Sequence, residues 1–198
     1  MIPLDVYKHR SITAIVGKAG YGKSYFIKSL LYEDPANRII VFDINCEYDF
    51  MAERGYEIFK KFSDFKEFIL NNYDSDIKVI IQFDNLEDYE LALELSYRLG
   101  SIIIVLEEVH QYSNAFATVK PLEKIIRFGR HHQISLIAIT HRFTDLSVLI
   151  RQNLDLVVFF RCSTANDVKL FKEYEYIEKY ADKIAVLKKQ EYIICKNI

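Results

Sequence analysis

An apolar run, Ile12, Ala14, Ile15 and Val16 around Thr13, leads directly into Gly-Lys-Ala-Gly-Tyr-Gly-Lys-Ser at residues 17–24. No other feature constrains the fold as strongly, because a buried strand must stop, turn through glycines and start a helix within a few residues. Such a turn lets successive backbone N–H groups point inward, at a helix N-terminus that already favours negative charge. The pattern therefore predicts a phosphate loop in which Gly17, Lys18, Ala19, Gly20, Tyr21, Gly22, Lys23, Ser24 and Tyr25 surround the phosphates of a nucleotide. Lys23 reaches the β- and γ-phosphates, and the Ser24 hydroxyl completes the coordination of Mg²⁺.

Strand-length apolar runs recur at residues 12–16, 39–42, 77–83, 102–106, 134–139 and 156–160. Helix-like segments lie between most of them, at 23–32, 64–72 (with Ser63 as its cap), 86–99, 120–127 and 145–151. That alternation predicts an α/β fold with a central, mostly parallel sheet flanked by crossover helices. The runs at 102–106 and 157–160 are continuous rather than alternating, which suits strands covered on both faces at the centre of the sheet. After a helix-like stretch at 166–176, residues 184–187 and 192–195 flank Lys188-Lys189-Gln190-Glu191 and predict a C-terminal β-hairpin. The 198 residues suffice for one sizeable core and are read as a single domain, 1–198.

Every apolar run is interrupted by charge before it reaches membrane-spanning length, and the first residues lack a basic-then-apolar leader. The expectation is a soluble, cytoplasmic protein that is not integral to a membrane. With 26 basic and 28 acidic side chains there is no basic bulk, so any nucleic-acid contact must come from a local patch or from a ring of subunits. Cys46, Cys162 and Cys195, odd in number and in or beside strand-like runs, are expected as buried free thiols.

Binding a nucleotide takes a phosphate loop; hydrolysing it also takes a metal-holding acid and a group that orients water. The run Ile102-Ile-Ile-Val-Leu106 ends in Glu107 and Glu108. This places Glu107 to hold Mg²⁺ through water and Glu108, turned the other way, to polarise the nucleophilic water. At the end of the 134–139 strand, Thr140 or His141 is positioned to sense the γ-phosphate or the attacking water. Arg127 and Arg130, three apart, share a helical face if the helix continues beyond 127, and a guanidinium offered to a neighbouring subunit's γ-phosphate is what a finger acting in trans requires. His131 and His132 read as surface residues.

The phosphate loop, Leu106-Glu-Glu-Val-His110, Gly129-Arg-His-His-Gln-Ile-Ser135, Thr140-His-Arg142 and Asp145-Leu-Ser147 together resemble the FtsK–HerA superfamily of ring-forming, DNA-pumping ATPases. The Asp43-x-Asn-x-Glu47-Tyr48 stretch is similar to a motif that HerA-like members carry after the second strand. Covering residues 12–161, the resemblance implies a RecA-like core, ATP and Mg²⁺ as cofactors, a homo-oligomeric hexameric or pentameric ring, and double-stranded DNA in its pore. It also implies Lys23, Ser24, Glu107 and Glu108 in the roles given above, His141 as sensor, and one of Arg127 and Arg130 as a finger acting in trans. Glu107 stands where many members have Asp, and His141 where many have Gln.

As a bare motor domain the chain looks most like the genome-packaging ATPases of membrane-containing icosahedral viruses, those of archaeal turreted viruses in particular. That resemblance implies a translocase that packages DNA into a capsid. It adds a capsid or membrane-vertex partner, with localisation in the host cytoplasm and association with the virion. A cellular or plasmid HerA-type translocase is the alternative within the class. Outside it stand a nucleotide-gated assembly protein and a small-molecule kinase; the acid pair and the later sensor strand fit hydrolysis better than transfer to a small substrate. The DNA-contacting candidates are residues 111–120 and the segment around Lys188 and Lys189.

Overall fold

β-Branched and aromatic residues fill the six apolar runs, and each forms a strand of one mixed sheet. The computed structural model describes residues 10–33, 37–114 and 116–197. Its strands are β1 (Ile12–Val16), β2 (Arg38–Phe42), β3 (Glu57–Phe59), β4 (Ile77–Ile81), β5 (Ile103–Leu106), β6 (Ser135–Thr140), β7 (Leu156–Phe159) and β8 (Ile193–Lys196). They lie in the order β3-β4-β2-β5-β6-β1-β7-β8. All neighbouring pairs are parallel except β7 and β8.

Connecting helices are α1 (Lys23–Glu33), α2 (Phe62–Asn71), α3 (Leu86–Leu99), α4 (Lys120–Phe128), α5 (Val148–Gln152), α6 (Ala165–Phe171), α7 (Glu175–Glu178) and α8 (Ala181–Val186). Side chains alternate across the strands, so the sheet feeds two apolar layers. Ile15, Ile39, Val41, Val105, Ile139 and Val158 pack with Phe26, Ile27 and Leu30 of α1 on one face. Ala14, Val16, Phe42, Leu106, Ala138 and Phe159 pack on the other with Phe65 of α2, Leu93 of α3, Ile125 of α4 and Phe171 of α6. α3 starts where the Asn85 side chain accepts the Asp88 N–H, and α5 where Ser147 accepts that of Ile150.

Several elements differ from the sequence reading. β3 was not foreseen: three residues, Glu-Ile-Phe, at a sheet edge carry too little periodicity to mark a strand. α2 starts at Phe62, and Ser63 does not cap it but bonds to the adjacent Asp64 carboxylate. β4 stops at Ile81, which leaves Gln82 free to turn its amide to Asp43. The stretch 145–151 is a 3₁₀ turn (Phe143–Asp145) followed by α5, and 166–176 breaks between α6 and α7. β5 is central, but β7 is second from the edge; β8 gives it its second neighbour.

The C-terminal antiparallel pair exists with a different partner. β8 pairs with β7, Val158 opposite Ile194, while residues 184–186 belong to α8. Cys162 and Cys195 are buried as expected, but Cys46, on the loop after β2, is exposed.

Register is what builds the site. Val16 of β1 lies beside Thr140 of β6 and Phe159 of β7; Phe42 of β2 lies beside Leu106 of β5, and Leu106 beside Ala138. The residues that follow these strands, Gly17, Asp43, Glu107, His141 and Phe160, therefore gather at one edge of the sheet, where open α/β folds bind ligands.

A group of rings, Phe143 against Phe159, Phe171 and Tyr174 with centroids 5.5, 5.7 and 5.5 Å away, locks the β6–β7 connection to α6. Phe143 is fully buried, so Phe143→Ala should cost about 3–5 kcal/mol. Chemical denaturation followed by far-UV circular dichroism checks this.

Candidate active site

Between β1 and α1 the chain wraps as the glycine spacing requires. At Gly17 a Cβ would come 2.5 Å from Cβ of Phe160, so only glycine fits between β1 and β7 there. At Gly22 φ is +111°, and the Cα of Gln190 lies 3.3 Å from where a Cβ would be. The loop is tied down on both sides: the Lys18 N–H donates to Arg161 O at 2.9 Å, and the Gln190 N–H donates to Tyr21 O at 2.9 Å. The Phe26 N–H donates to Gly22 O, which starts the α1 ladder directly behind the phosphate position.

A cavity of about 330 Å³ lies over the loop. Ala19, Gly20, Gly22, Lys23, Ser24 and Tyr25 form one wall; Asn45, Glu47, Glu107, Glu108 and His141 form the other. Gly17, Lys18 and Tyr21, included in the sequence prediction, complete the turn behind this lining. The structure thus brings the loop, the acid pair and His141 into one place.

The Lys23 ammonium is buried, and burial pulls its pKa down, while Glu108 and Glu107 nearby hold it up. It donates to Gly17 O at 2.6 Å and meets His141 Nδ1 at 3.1 Å. His141 Nε2 in turn lies 2.9 Å from Glu108 Oε1. Lysine is only a donor, so His141 must accept through Nδ1 and point an Nε2–H at the carboxylate. The sensor strand β6, inserted between β1 and β5, is what permits this chain of contacts.

Glu108 is further held by His110, whose Nδ1 is 3.1 Å from Oε2. That contact lacks hydrogen-bonding geometry, which leaves Oε2 a buried acceptor without a hydrogen bond on the cavity wall. The backbone at Glu108 is left-handed, φ 48° and ψ 53°, a conformation costly for a side chain with a Cβ and concentrated at functional sites.

Glu107 points to a different partner. The Tyr48 hydroxyl, fully buried, donates a short hydrogen bond to Glu107 Oε1. Burial pushes the Glu107 carboxyl up to about 7, opposed by that donor and reinforced by Glu47, Glu108 and Asp43. The same burial, with Glu107 beside it, pushes the Tyr48 phenol up.

Tyr48 is itself positioned by the loop after β2. One oxygen of Asp43 accepts the Glu47 N–H at 2.9 Å; the other accepts the Tyr48 N–H at 3.0 Å and the Gln82 amide at 2.9 Å. This gives the Asp43-x-Asn-x-Glu47-Tyr48 stretch a physical role that the sequence reading left unassigned: it folds a carboxylate-capped turn that carries Tyr48 to Glu107. An aspartate closing an apolar strand, with a tyrosine five residues on, is the signal that was available.

Three carboxylates, Glu47, Glu107 and Glu108, thus face a cavity whose wall offers one lysine, and one of them is held against ionisation by its surroundings. Such an excess of oxygen donors fits a hard divalent cation. Ser24 and Glu107, the residues expected from the sequence to hold Mg²⁺, both line this cavity.

The two arginines are elsewhere. Arg127 closes α4, paired to Glu123 at 2.8 Å; Arg130, in the 3₁₀ turn Gly129–His132, pairs with Asp155 at 2.5 Å. Asp155 also accepts the Ile12 N–H, at the start of β1. Both arginines therefore lie near the sheet edge opposite the phosphate loop, separated from it by the roughly 16 Å length of β1. They do not share a helical face, because α4 ends at Phe128. His131 and His132 are exposed; His132 stacks near Tyr97 with ring centroids 4.4 Å apart.

The model of the helicase HerA central domain matches residues 2–102. No curated protein sequence matches the chain. Among solved structures, the genome packaging NTPase B204 of Sulfolobus turreted icosahedral virus 2, bound to ATP-gammaS, is 24% identical with a TM-score of 0.73. That match covers 94% of this chain and 92% of that one. B204 of Sulfolobus turreted icosahedral virus, a DNA-packaging ATPase, is 22% identical with a TM-score of 0.69, over 96% of this chain and 98% of that one. VirB4 of Thermoanaerobacter pseudethanolicus is 13% identical with a TM-score of 0.66, over 96% and 90%.

Ionisation of Glu107 gives the site a pH signature. In the unfolded chain this carboxyl ionises near 4.5, but in the metal-free fold only near 7. A raised carboxyl pKa means the folded state holds its proton longer. Stability should therefore fall as pH rises from about 5 to 7, by on the order of 2 kcal/mol. Denaturant melts at the two pH values should show this loss in the parent and its absence in Glu107→Gln. Tyr48→Phe, which removes the donor favouring the charged form, should extend the loss to higher pH.

Proposed function

The chain belongs to the helicase HerA central-domain family of P-loop ATPases, and we propose that it spends ATP on moving double-stranded DNA, as the packaging motor of a viral genome. The observation that carries the hydrolytic part is the contact chain Lys23–His141–Glu108 over the phosphate loop, with Glu107 beside it. The packaging part is supported by likeness to B204, a DNA-packaging ATPase, over nearly the full length of both chains.

In this reading Lys23 turns from Gly17 O and His141 to the β- and γ-phosphates. His141, released from Lys23, faces the γ-phosphate, and Glu108 takes a proton from the attacking water. Ser24, and Glu107 through water, would hold Mg²⁺, whose charge would offset that of the phosphate oxygens. Among the described residues no arginine lines the cavity itself, although the Arg161 guanidinium lies beside it on the Tyr21 hydroxyl at 3.2 Å; in the proposal, Arg127 or Arg130 of an adjoining subunit in a hexameric or pentameric ring completes the charge clamp.

The DNA contact is assigned to residues 111–120, of which Ala115 lies outside the described residues. There Asn114 accepts the N–H groups of Phe116 and Ala117 through its side chain, and the Phe116 ring is 99% exposed. The segment around Lys188 and Lys189, both exposed, sits beside the phosphate loop through the bond from Gln190 N–H to Tyr21 O and is kept as the second candidate. A capsid or membrane-vertex partner, residence in the host cytoplasm and association with the virion belong to the same proposal. Among the described residues no helix is long and apolar enough to cross a membrane.

Steady-state ATP hydrolysis with and without linear double-stranded DNA at low salt tests the reading. DNA should stimulate turnover, and the stimulation should decline steeply with salt. Lys23→Ala should abolish it, and Glu108→Gln should retain ATP while losing at least roughly a hundredfold in rate. Turnover indifferent to DNA would sink the translocase assignment. For the arginine that acts in trans, the alanine variant should be inactive alone and regain hydrolysis when mixed with Lys23→Ala subunits, which lend their intact arginine to its site. Failure of both Arg127→Ala and Arg130→Ala to be rescued in this way would remove the trans finger from the proposal.

A further inference from the structure

Neither oxygen of Glu108 is free for water in the resting site. Oε1 lies 2.9 Å from His141 Nε2, and Oε2 has His110 Nδ1 against it at 3.1 Å. Oε2 is buried and makes no hydrogen bond. A general base has to present a lone pair to the proton it takes. With Oε1 engaged by the sensor histidine, Oε2 is the oxygen left for that task, and His110 covers it. A buried acceptor without a bond and a left-handed backbone at the same residue, φ 48°, are both costly, which marks an arrangement built to be left.

The two histidines belong to different parts of the chain. His141 closes β6 and leans on Lys23 of the phosphate loop. His110 instead sits in the 3₁₀ turn Val109–Gln111, the start of the exposed segment that leads away from the site. Its Nε2 meets the Gln111 side-chain amide at 3.4 Å, and the Gln111 N–H donates to Glu108 O at 2.8 Å. Beyond that turn the segment is stiff. Tyr112 is fully buried, its ring centroid 6.3 Å from Phe42 and 6.0 Å from Tyr89, and its carbonyl accepts the Val119 N–H. Ser113 is bridged to Thr118, whose hydroxyl donates to Ser147 at the cap of α5. This hairpin carries Phe116 into solvent at one end and the His110 ring at the other. The imidazole is itself 38% exposed, so it has room to turn outward.

Resting on the DNA-motor reading, we propose that His110 is a positioning residue that acts through Glu108: it covers Oε2 while the 111–120 segment is empty and leaves with Gln111 when DNA engages that segment. Gln111 is exposed, and its amide is a donor that a DNA phosphate can take from the imidazole. The ring, no longer held on that side, turns to solvent, and Oε2 meets the attacking water. Three residues separate Glu108 from the hairpin, so a small displacement at its base suffices. The consequence is that ATP bound without DNA is spared, because the acid that would cleave it stays covered.

Steady-state hydrolysis by the full chain, with and without linear double-stranded DNA, tests this through the ratio of the two rates. His110→Ala should raise the DNA-free kcat by roughly fivefold or more, the low end of ordinary coupling between sites, with little change in KM for ATP. Its rate with DNA should stay near the parent's, so the stimulation collapses. His110→Asn, whose side-chain amide nitrogen stands where Nδ1 does, should restore the low DNA-free rate. A merely structural histidine would lower both rates together and would not be rescued. Since the chain contains no tryptophan, Phe116→Trp supplies a single indole on the hairpin, and its emission should respond to DNA at the same midpoint with and without His110→Ala. An unchanged or lowered DNA-free rate in His110→Ala, or an indole blind to DNA that does stimulate turnover, overturns the proposal. Failure of the underlying reading looks different: the parent itself hydrolyses no ATP or turns it over at the same rate with and without DNA, and the role of His110 falls with it.

Discussion

β6 pairs with β1 on one side and with β5 on the other, and a slip of one residue in either ladder would turn every side chain of a strand to the opposite face. Both faces are apolar and fully packed, so the register is fixed by burial on each side. From that register comes the alignment of Gly17, His141 and Glu107 at one edge. His141 can bridge Lys23 and Glu108 only because its strand is the one inserted between theirs. The chemistry of the site is therefore a property of the sheet before it is a property of any loop.

Parts of this were written locally and parts were not. The phosphate loop is a contiguous turn whose glycines, lysine and serine are each demanded by phosphate geometry, so eight adjacent residues declared it. The placement of Glu107 and Glu108 was legible because an apolar strand that ends in two acids, beside such a loop, brings both carboxylates to the loop's edge of the sheet. Tyr48 was not: its hydroxyl meets Glu107 across 59 positions of sequence, and nothing local announces that meeting. Residues 184–187 are four apolar or small side chains that suit either period, and tertiary packing decided for a helix. The order of strands was equally hidden, since alternating elements fix parallel pairing but not which strand neighbours which. For the arginines the spacing left a condition open, one shared face if the helix continued, and the helix stops between them.

Electrostatically the resting site is a set of mutual restraints. Lys23 is charged and buried, and its donors are taken up by a carbonyl and an imidazole. Glu108 is pinned between two histidines on a strained backbone, while Glu107 is shared with a phenol. In the proposed function a polyanion with its metal would take the place of these partners. The groups need only exchange contacts over short distances, since the cavity wall already holds them in place.

The position of β1 also governs how the chain is made. Among the described strands it is the first to leave the ribosome, yet both of its neighbours, β6 and β7, come more than a hundred residues later. At ordinary elongation rates that is an interval of roughly ten seconds. Throughout it, five residues destined for complete burial have no native edge to pair with, and the glycine turn behind them has no strand end to rest on. The nascent chain is thus exposed to mispairing in the very segment that later defines its site. A folding helper or a cold-sensitive yield would find its cause in this topology rather than in the stability of the finished protein.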